Sequence, residues 1–250
     1  MEWEKKEMSI IKLIPEKLDY WQKWKDKRMT DECRVKLLQT DEAAGTMALY
    51  FKAVTQLLGR VPNTRRVGAH FPMMTIFQLP FTAVLQREGG GGVLSGKIKE
   101  MAIIKTSHLN GCNYWLAHNT SLGQAAGITD EQVQVIGSND YMKSSIFTPR
   151  EKAAILWAEH VSLNTARQRD DIFEIIRKEY NDAEIVELTM VICYFNLNNR
   201  FVDALKIPVE PMEEVDKIKT TARTDPEKIR QYLQTILDNW PESFPVTNPD

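Results

Sequence analysis

The chain has 250 residues, of which 43% are apolar, 26% charged and 9% aromatic, a globular balance that excludes wholesale disorder and a fibrous architecture. With 32 Lys and Arg against 34 Asp and Glu the net charge is −2 and no basic cluster stands out, so no nucleic-acid partner is expected. The longest apolar run, Leu188 to Phe195, is under half of the ~20 residues a membrane helix needs. Met1 to Lys6 lacks the basic, apolar, small-residue order of a secretory leader, and three scattered cysteines (Cys33, Cys112, Cys193) form no disulfide framework. The expectation is a soluble, cytoplasmic protein without a membrane partner.

Helix starts and stops recur along the chain, whereas strand signals are scarce, which predicts an all-α fold. Residues 1–42 read as a charged N-terminal helical extension with Trp3, Tyr20, Trp21 and Trp24 as anchors on a body spanning 43–208. Within the body, Arg65 and Arg66 precede His70-Phe71-Pro72-Met73-Met74, and Phe77 and Phe81 follow at helical spacing. That stripe is either pocket lining or a core or subunit contact. Gly89 to Gly92 marks a loop; no strand precedes it and no Gly-Lys-Ser/Thr follows, so it is not read as a phosphate cradle. Ser95 caps a predicted helix over Lys97 to about Leu109, broken by Asn110-Gly111 before Cys112 to Asn119 opens the next.

Gly127 ends that helix, and Thr129 to Gln132 forms a capping box for a short one. Thr148-Pro149-Arg150-Glu151 is a second box, opening a helix to about Leu163. Asp170-Asp171 reads as the cap of a further helix, and Asn181-Asp182 starts a long one to about Leu205. Residues 209–250 read as a C-terminal extension, with an amphipathic helix through Ile229, Tyr232, Leu233, Ile236 and Leu237 and a loose tail from Pro241 to Asp250.

The chemistry-bearing residues concentrate around the Asn110-Gly111 break. Glu100, Ile104 and Ser107 share one helical face, and His108 flanks it at about 80° round the axis. Cys112 stands at the start of the following helix, where the positive end of the helix dipole favours thiolate and predicts a reactive thiol. Tyr114 and His118 are four apart, hence neighbours. A carboxylate, a thiol, an imidazole and a phenol can therefore converge where two consecutive helices meet. Spacing alone is equally met by a solvated Glu, a buried Cys and a satisfied His.

Glu100, eleven intervening residues, Cys112, Tyr114 and Ala117-His118, preceded by Asn110-Gly111, resemble the signature of the alkylhydroperoxidase D and carboxymuconolactone decarboxylase superfamily. The similarity continues through Gln124 to Glu131, Phe147 to Lys152, Ile185 to Thr189 and Phe195 to Leu205, and covers roughly Ala43 to Pro208. The resemblance implies an all-helical bundle and assembly as trimers or hexamers, and a homo-oligomer, whether dimer, trimer or hexamer, is expected. In the peroxidase members the signature is similar to Glu-x11-Cys-x2-Cys-x3-His, in which two thiols form a disulfide and Glu and His relay protons. Here Trp115 stands at the second cysteine and Asn119 at the relay histidine, with His118 one position early.

A dithiol cycle needs a partner sulfur with its Cα about 5.5–6 Å away, which Trp115 does not supply; Cys193, within an apolar helical segment, reads as core. An indole in place of sulfur makes the pocket more apolar, and desolvation then raises the Glu100 carboxyl towards the range of general acid or base work. The expected protein is a cofactor-independent enzyme that moves a proton on a small organic substrate by decarboxylation, isomerisation or elimination. Glu100 acts with His118 or His108, Tyr114 orients the substrate, and Cys112 is a weak acid or a wall residue. Trp115, Asn119, Arg65 or Arg66, His70 and Phe71 are candidates for binding it. Two alternatives stay open, a thiol peroxidase using Cys112 with an external reductant and a catalytically silent scaffold. The four histidines show no metal-ligand spacing, so no metal site is expected.

Overall fold

The computed structural model describes residues 32–240 and residue 242; the N-terminal anchors Trp3, Tyr20, Trp21 and Trp24, and most of the tail from Pro241, lie outside the described residues. Among the described residues there are eleven α-helices: α1 (Gly45–Leu58), α2 (Asn63–Gly68), α3 (Pro72–Gln86), α4 (Gly96–Asn110), α5 (Asn113–Ala125), α6 (Asp130–Gly137), α7 (Pro149–Ser162), α8 (Asp170–Glu179), α9 (Asp182–Leu205), α10 (Met212–Asp216) and α11 (Pro226–Asp238). Short 3-10 turns at Ala166–Gln168 and Lys217–Thr221 complete the order, and an isolated bridge between Glu88 and Arg223 is the one piece of β pairing among the described residues. The all-α expectation holds.

The helix starts follow local chemistry. Thr129, Thr148 and Asn181 each close a reciprocal capping box, with Gln132, Glu151 and Glu184 respectively, and Ser95 accepts from the Ile98 N–H at 3.4 Å. Asp170 and Asp171 are not caps as expected. They sit in the first turn of α8, behind Arg169, where their charge complements the helix dipole and Arg169 holds Asp171 at 2.8 Å.

Helix α4 is the axis of the body, packed by α5, α6, α7 and α9 and buried on nearly every side from Ile98 to Ser107. A helix buried all round has no solvated stripe for its polar residues, so each polar group needs an internal partner. Lys99 pairs with Glu187 at 2.5 Å, Lys105 with Glu159 at 2.8 Å, and Ser107 faces Asn199 at 3.4 Å. Glu187 also accepts from the Val93 and Leu94 N–H groups, which fastens the glycine loop onto α9. A Cβ at Gly92 would meet the Glu187 carboxylate and the Lys99 amine, so a larger residue there would have to displace that buried ion pair.

A second core joins α1, α3 and α11 through Tyr50, Phe51, Val54, Ile76, Leu79 and Tyr232. Pro80 lies inside α3 and has no N–H to give the carbonyl of Ile76; the Tyr232 hydroxyl donates to that carbonyl at 2.8 Å instead. The C-terminal segment is therefore tied to the body by more than apolar contact.

Candidate active site

Gly111, at φ 69°, ends α4 in the left-handed conformation, and Cys112 N–H reaches back to Ser107 C=O at 2.9 Å in a Schellman-type closure. The turn starts α5 against α4 and brings Tyr114, Trp115, His118 and Asn119 to the end of α3. There a cavity of about 60 Å³ is lined by Arg60, Arg65, Gln86, Arg87, Tyr114, Trp115 and His118, with Leu58, Leu79, Ala83 and Ile218 as apolar wall. A water needs on the order of 10–15 Å³ of such space, so the cavity takes several waters or a small organic molecule.

Two polar networks meet at this cavity. In the first, His118 Nδ1 lies 2.8 Å from the Tyr114 carbonyl and Nε2 lies 3.1 Å from Glu210 Oε2. The Tyr114 hydroxyl donates to Glu210 Oε1 at 2.9 Å, and the Asn63 N–H donates to the same oxygen at 2.6 Å. The Tyr114 and His118 rings stack at 4.3 Å. Burial alone would raise the Glu210 carboxyl; the hydrogen bond and charge of His118 and the Asn63 N–H outweigh it and hold the group down at about 2. Burial and the neighbouring Glu210 charge push the Tyr114 phenol well above its ordinary value, so it keeps its proton.

In the second network, Gln86 Nε2 donates to Glu100 Oε1 at 3.0 Å and to Asn119 Oδ1 at 2.7 Å, while Arg87 donates to Gln86 Oε1. Glu100 is 1% exposed, and loss of solvent pushes its carboxyl up to about 8, against the opposing pull of Arg87, Gln86 and Lys99. The rise anticipated from the sequence is present, and its cause is burial within α4, with Gln86 standing between the carboxyl and the cavity. Arg87, also buried, drops to about 10 through desolvation, opposed by Glu100, and remains a cation at neutral pH.

The structure thus gathers Glu100, Tyr114, Trp115, His118, Asn119 and Arg65, and sets the other candidates elsewhere. Cys112 is fully buried, and burial, with the Asp203 carboxylate beside it, pushes its thiol well above the ordinary value. The helix-end field expected to make it reactive is overridden by desolvation. His108 packs against Gly137 of α6, where an added Cβ would come within 2.6 Å of Nε2, and does not line the cavity.

Arg66 is spent on Gln39 and the Val61 carbonyl, and exposed His70 lies 2.9 Å from the Lys36 carbonyl. Phe71, just before α3, and Phe77 and Phe81 within it are exposed, so the aromatic stripe is surface and not pocket lining. Cys193, expected in the core, is exposed on α9; all three cysteines are free. Among the described residues no group of three His, Cys, Asp or Glu side chains is placed to hold a metal ion.

Gln86, Arg87 and Glu210 were not singled out by the sequence. Glu210 carries a weak signal, an acid confined between Pro208 and Pro211; Arg87 is the first charge after the uncharged α3.

Residues 77–160 match the carboxymuconolactone decarboxylase family. The uncharacterized protein YdfG of Bacillus subtilis (strain 168) is 27% identical over 108 residues, 43% of this chain and 72% of that protein. The fold is similar to a peroxidase-related protein from Silicibacter sp. TM1040, with a TM-score of 0.61 and 19% identity over 75% of this chain and 95% of that one. A peroxidase-related protein from Ralstonia eutropha JMP134 aligns at 0.59 and 20%, covering 77% and 98%. The debrominase Bmp8 in complex with 2,3,4-tribromopyrrole aligns at 0.58 and 18%, covering 76% and 100%.

Proposed function

We propose that the cavity is the active site of an acid/base enzyme that protonates a small anionic organic molecule, with decarboxylation of an unsaturated or keto acid as the reaction that best fits it. The observation carrying this reading is a cavity walled by two buried arginines and the protonated Tyr114 phenol, with the Glu100 carboxyl, also protonated at neutral pH, held behind Gln86. Such a site gives protons more readily than it takes them. Arg65 and Arg87 hold the negative oxygen of the substrate, and Trp115 and Leu79 exclude water from its apolar part. The C–C bond to the carboxylate breaks, carbon dioxide leaves, and the electron pair spreads onto the oxygen facing the arginines. The carbon then takes a proton from His118, which Glu210 orients and solvent reprotonates. Glu100 stays neutral behind Gln86, leaving the Arg87 charge directed at the substrate.

The thiol-peroxidase alternative is disfavoured by the same site. The cavity lining contains no cysteine, and the Cys112 thiol is buried and protonated. The test is a panel of small keto, unsaturated and lactone acids incubated in heavy water, with substrate loss, carbon dioxide release and deuterium at carbon followed by NMR and mass spectrometry. Turnover that falls at least 100-fold in His118→Gln and survives Cys112→Ala is expected. Rapid hydroperoxide consumption with an added thiol, lost in Cys112→Ala, overturns the reading in favour of a peroxidase; ligand binding without turnover leaves a scaffold.

A further inference from the structure

The side chains assigned to hold and protonate a substrate are closed off from solvent: Arg65, Arg87, Tyr114 and His118 are between 2% and 7% exposed. A molecule reaches them only when part of the cavity wall moves, and the walls differ in what holds them. Every lining residue supplied by α2, α3 and α5 is buried, so displacing those helices costs core packing. Two stretches remain. The α1–α2 connection brings Leu58 and Arg60, but it is short, set between the buried Leu57 and Pro62, and its Val61 carbonyl accepts from Arg66 at 3.3 Å. The other is the 3-10 turn Lys217–Thr221, which brings Ile218 and Thr221.

That turn lies in a stretch, residues 216–231, in which no side chain is buried, between the buried Val215 and Tyr232. Its anchors are polar and sit at its two ends. Ser121 of α5 donates to Asp216 Oδ1 at 2.8 Å. At the far end the Thr224 N–H donates to the Glu88 carbonyl at 2.7 Å, its hydroxyl donates to the Ala83 carbonyl at 3.3 Å, and Arg223 adds an exposed ion pair to Glu88 at 3.5 Å. Between these ends, among the described residues, a single hydrogen bond joins residues 217–222 to the body formed by α1 to α9. It runs from Arg87 Nη2 to the Thr221 hydroxyl and is long, at 3.5 Å. The Thr220 and Thr221 hydroxyls donate back to the Lys217 and Ile218 carbonyls, so they hold the turn together rather than hold it down. A segment tied at its ends, with only Ile218 and Ala222 half-buried as apolar groups, opens at lower cost than a helix with one face in the core.

We propose that residues 217–222 are the gate of the cavity: the strap lifts from Arg87 between its ends at Asp216 and Thr224, admits a small anion, and closes Ile218 over it. The inference rests on the cavity being the site that binds such an anion. A ligand held by the arginines fills the space under Ile218 and therefore favours the closed strap.

The test follows opening with and without ligand. Ala83→Cys places a reporter thiol in the cavity wall, and its modification by methyl methanethiosulfonate is read by peptide mass spectrometry. Where closing is faster than labelling, the rate follows the fraction open. Ser121→Ala removes one end anchor and is expected to raise that rate roughly twofold to tenfold. Thr235→Ala, which removes a contact between α11 and α1, is expected to leave it unchanged. On the unsubstituted full chain, hydrogen exchange is expected to be faster over residues 217–222 than over residues 57–62 or α5, and to slow there when benzoate is added. A reporter that never labels in the folded chain, a rate indifferent to Ser121→Ala, or a strap that exchanges as slowly as α5 overturns the gate. So does benzoate that binds by calorimetry without slowing exchange of the strap. Benzoate that does not bind while the strap opens and the reporter labels supports the gate and removes the anion reading of the cavity instead.

Discussion

His118 of α5 and Glu210, in the stretch between α9 and α10, meet through Nε2 and Oε2 at 3.1 Å, so a side chain from outside residues 77–160, the stretch that matches the family, fixes the imidazole that faces the cavity. The carboxylate has further anchors in the Tyr114 hydroxyl and the Asn63 N–H, and Arg60 stands 3.9 Å away. Pro208 and Pro211 flank it, which limits the backbone freedom lost when the segment docks. The C-terminal segment is consequently part of the site, with Ile218 and Thr221 in the same wall.

This pair sets a pH dependence. Glu210 falls from 4.5 to about 2 on folding, so the folded state binds its proton less tightly than the unfolded state. The stabilisation is fully present above pH 4.5 and is lost as pH falls through about 2. Its size is roughly 3 kcal/mol from the shift alone. Chemical denaturation is expected to show Glu210→Gln less stable than wild type by that order at pH 7, with the difference shrinking steadily below pH 4. A difference independent of pH removes the charge from the explanation.

Glu100 gives the opposite sign. Its carboxyl rises from 4.5 to about 8, so the folded state keeps a proton that the unfolded chain has released. Stability falls as pH rises through that window, by on the order of 5 kcal/mol. Glu100→Gln is expected to match wild type near pH 4 and to exceed it at pH 9. Once ionised, Glu100 also neutralises Arg87 from behind, so a small carboxylate probe such as benzoate is expected to bind more weakly above pH 8 in wild type. In Glu100→Gln that loss is absent; calorimetric titration at pH 6.5 and 9 measures both.

The parts of the molecule legible in the sequence are those fixed by neighbours in the chain. The capping boxes at Thr129, Thr148 and Asn181 need only a side chain and a residue three positions on, and α6, α7 and α9 start where they predict. Glu100, Tyr114, Trp115, His118 and Asn119 were legible because a single helix break folds them together. Glu210, Gln86 and Arg87 were not, because their roles depend on α3 and the C-terminal segment docking on α5, a long-range event with no spacing rule. Cys112 shows the limit from the other side. The dipole of a helix start favours its thiolate, and burial, invisible in the sequence, outweighs that field.

That reversal is measurable. With its thiol buried and pushed up, Cys112 is expected to escape a maleimide reagent in the native protein at pH 7 and to react within minutes after unfolding. Peptide mass spectrometry distinguishes it from Cys33 and Cys193. Native labelling at Cys112 as fast as in the unfolded chain contradicts the burial and restores the thiol as a candidate nucleophile.

Helices α3 and α11 are joined at a single carbonyl, that of Ile76. Pro80 deprives the Ile76 carbonyl of its helical donor, and the Tyr232 hydroxyl, fully buried, takes that place at 2.8 Å. Tyr232→Phe keeps the ring packing and leaves a buried carbonyl unpaired, which costs about 1–3 kcal/mol. Pro80→Ala supplies an N–H four residues after Ile76, so the same Tyr→Phe change made on that background is expected to cost much less. The double-mutant cycle isolates the term, because the two substitutions act on one acceptor and are otherwise far apart in sequence. Equal costs on both backgrounds would mean that the hydroxyl contributes through something other than the carbonyl left open by the proline.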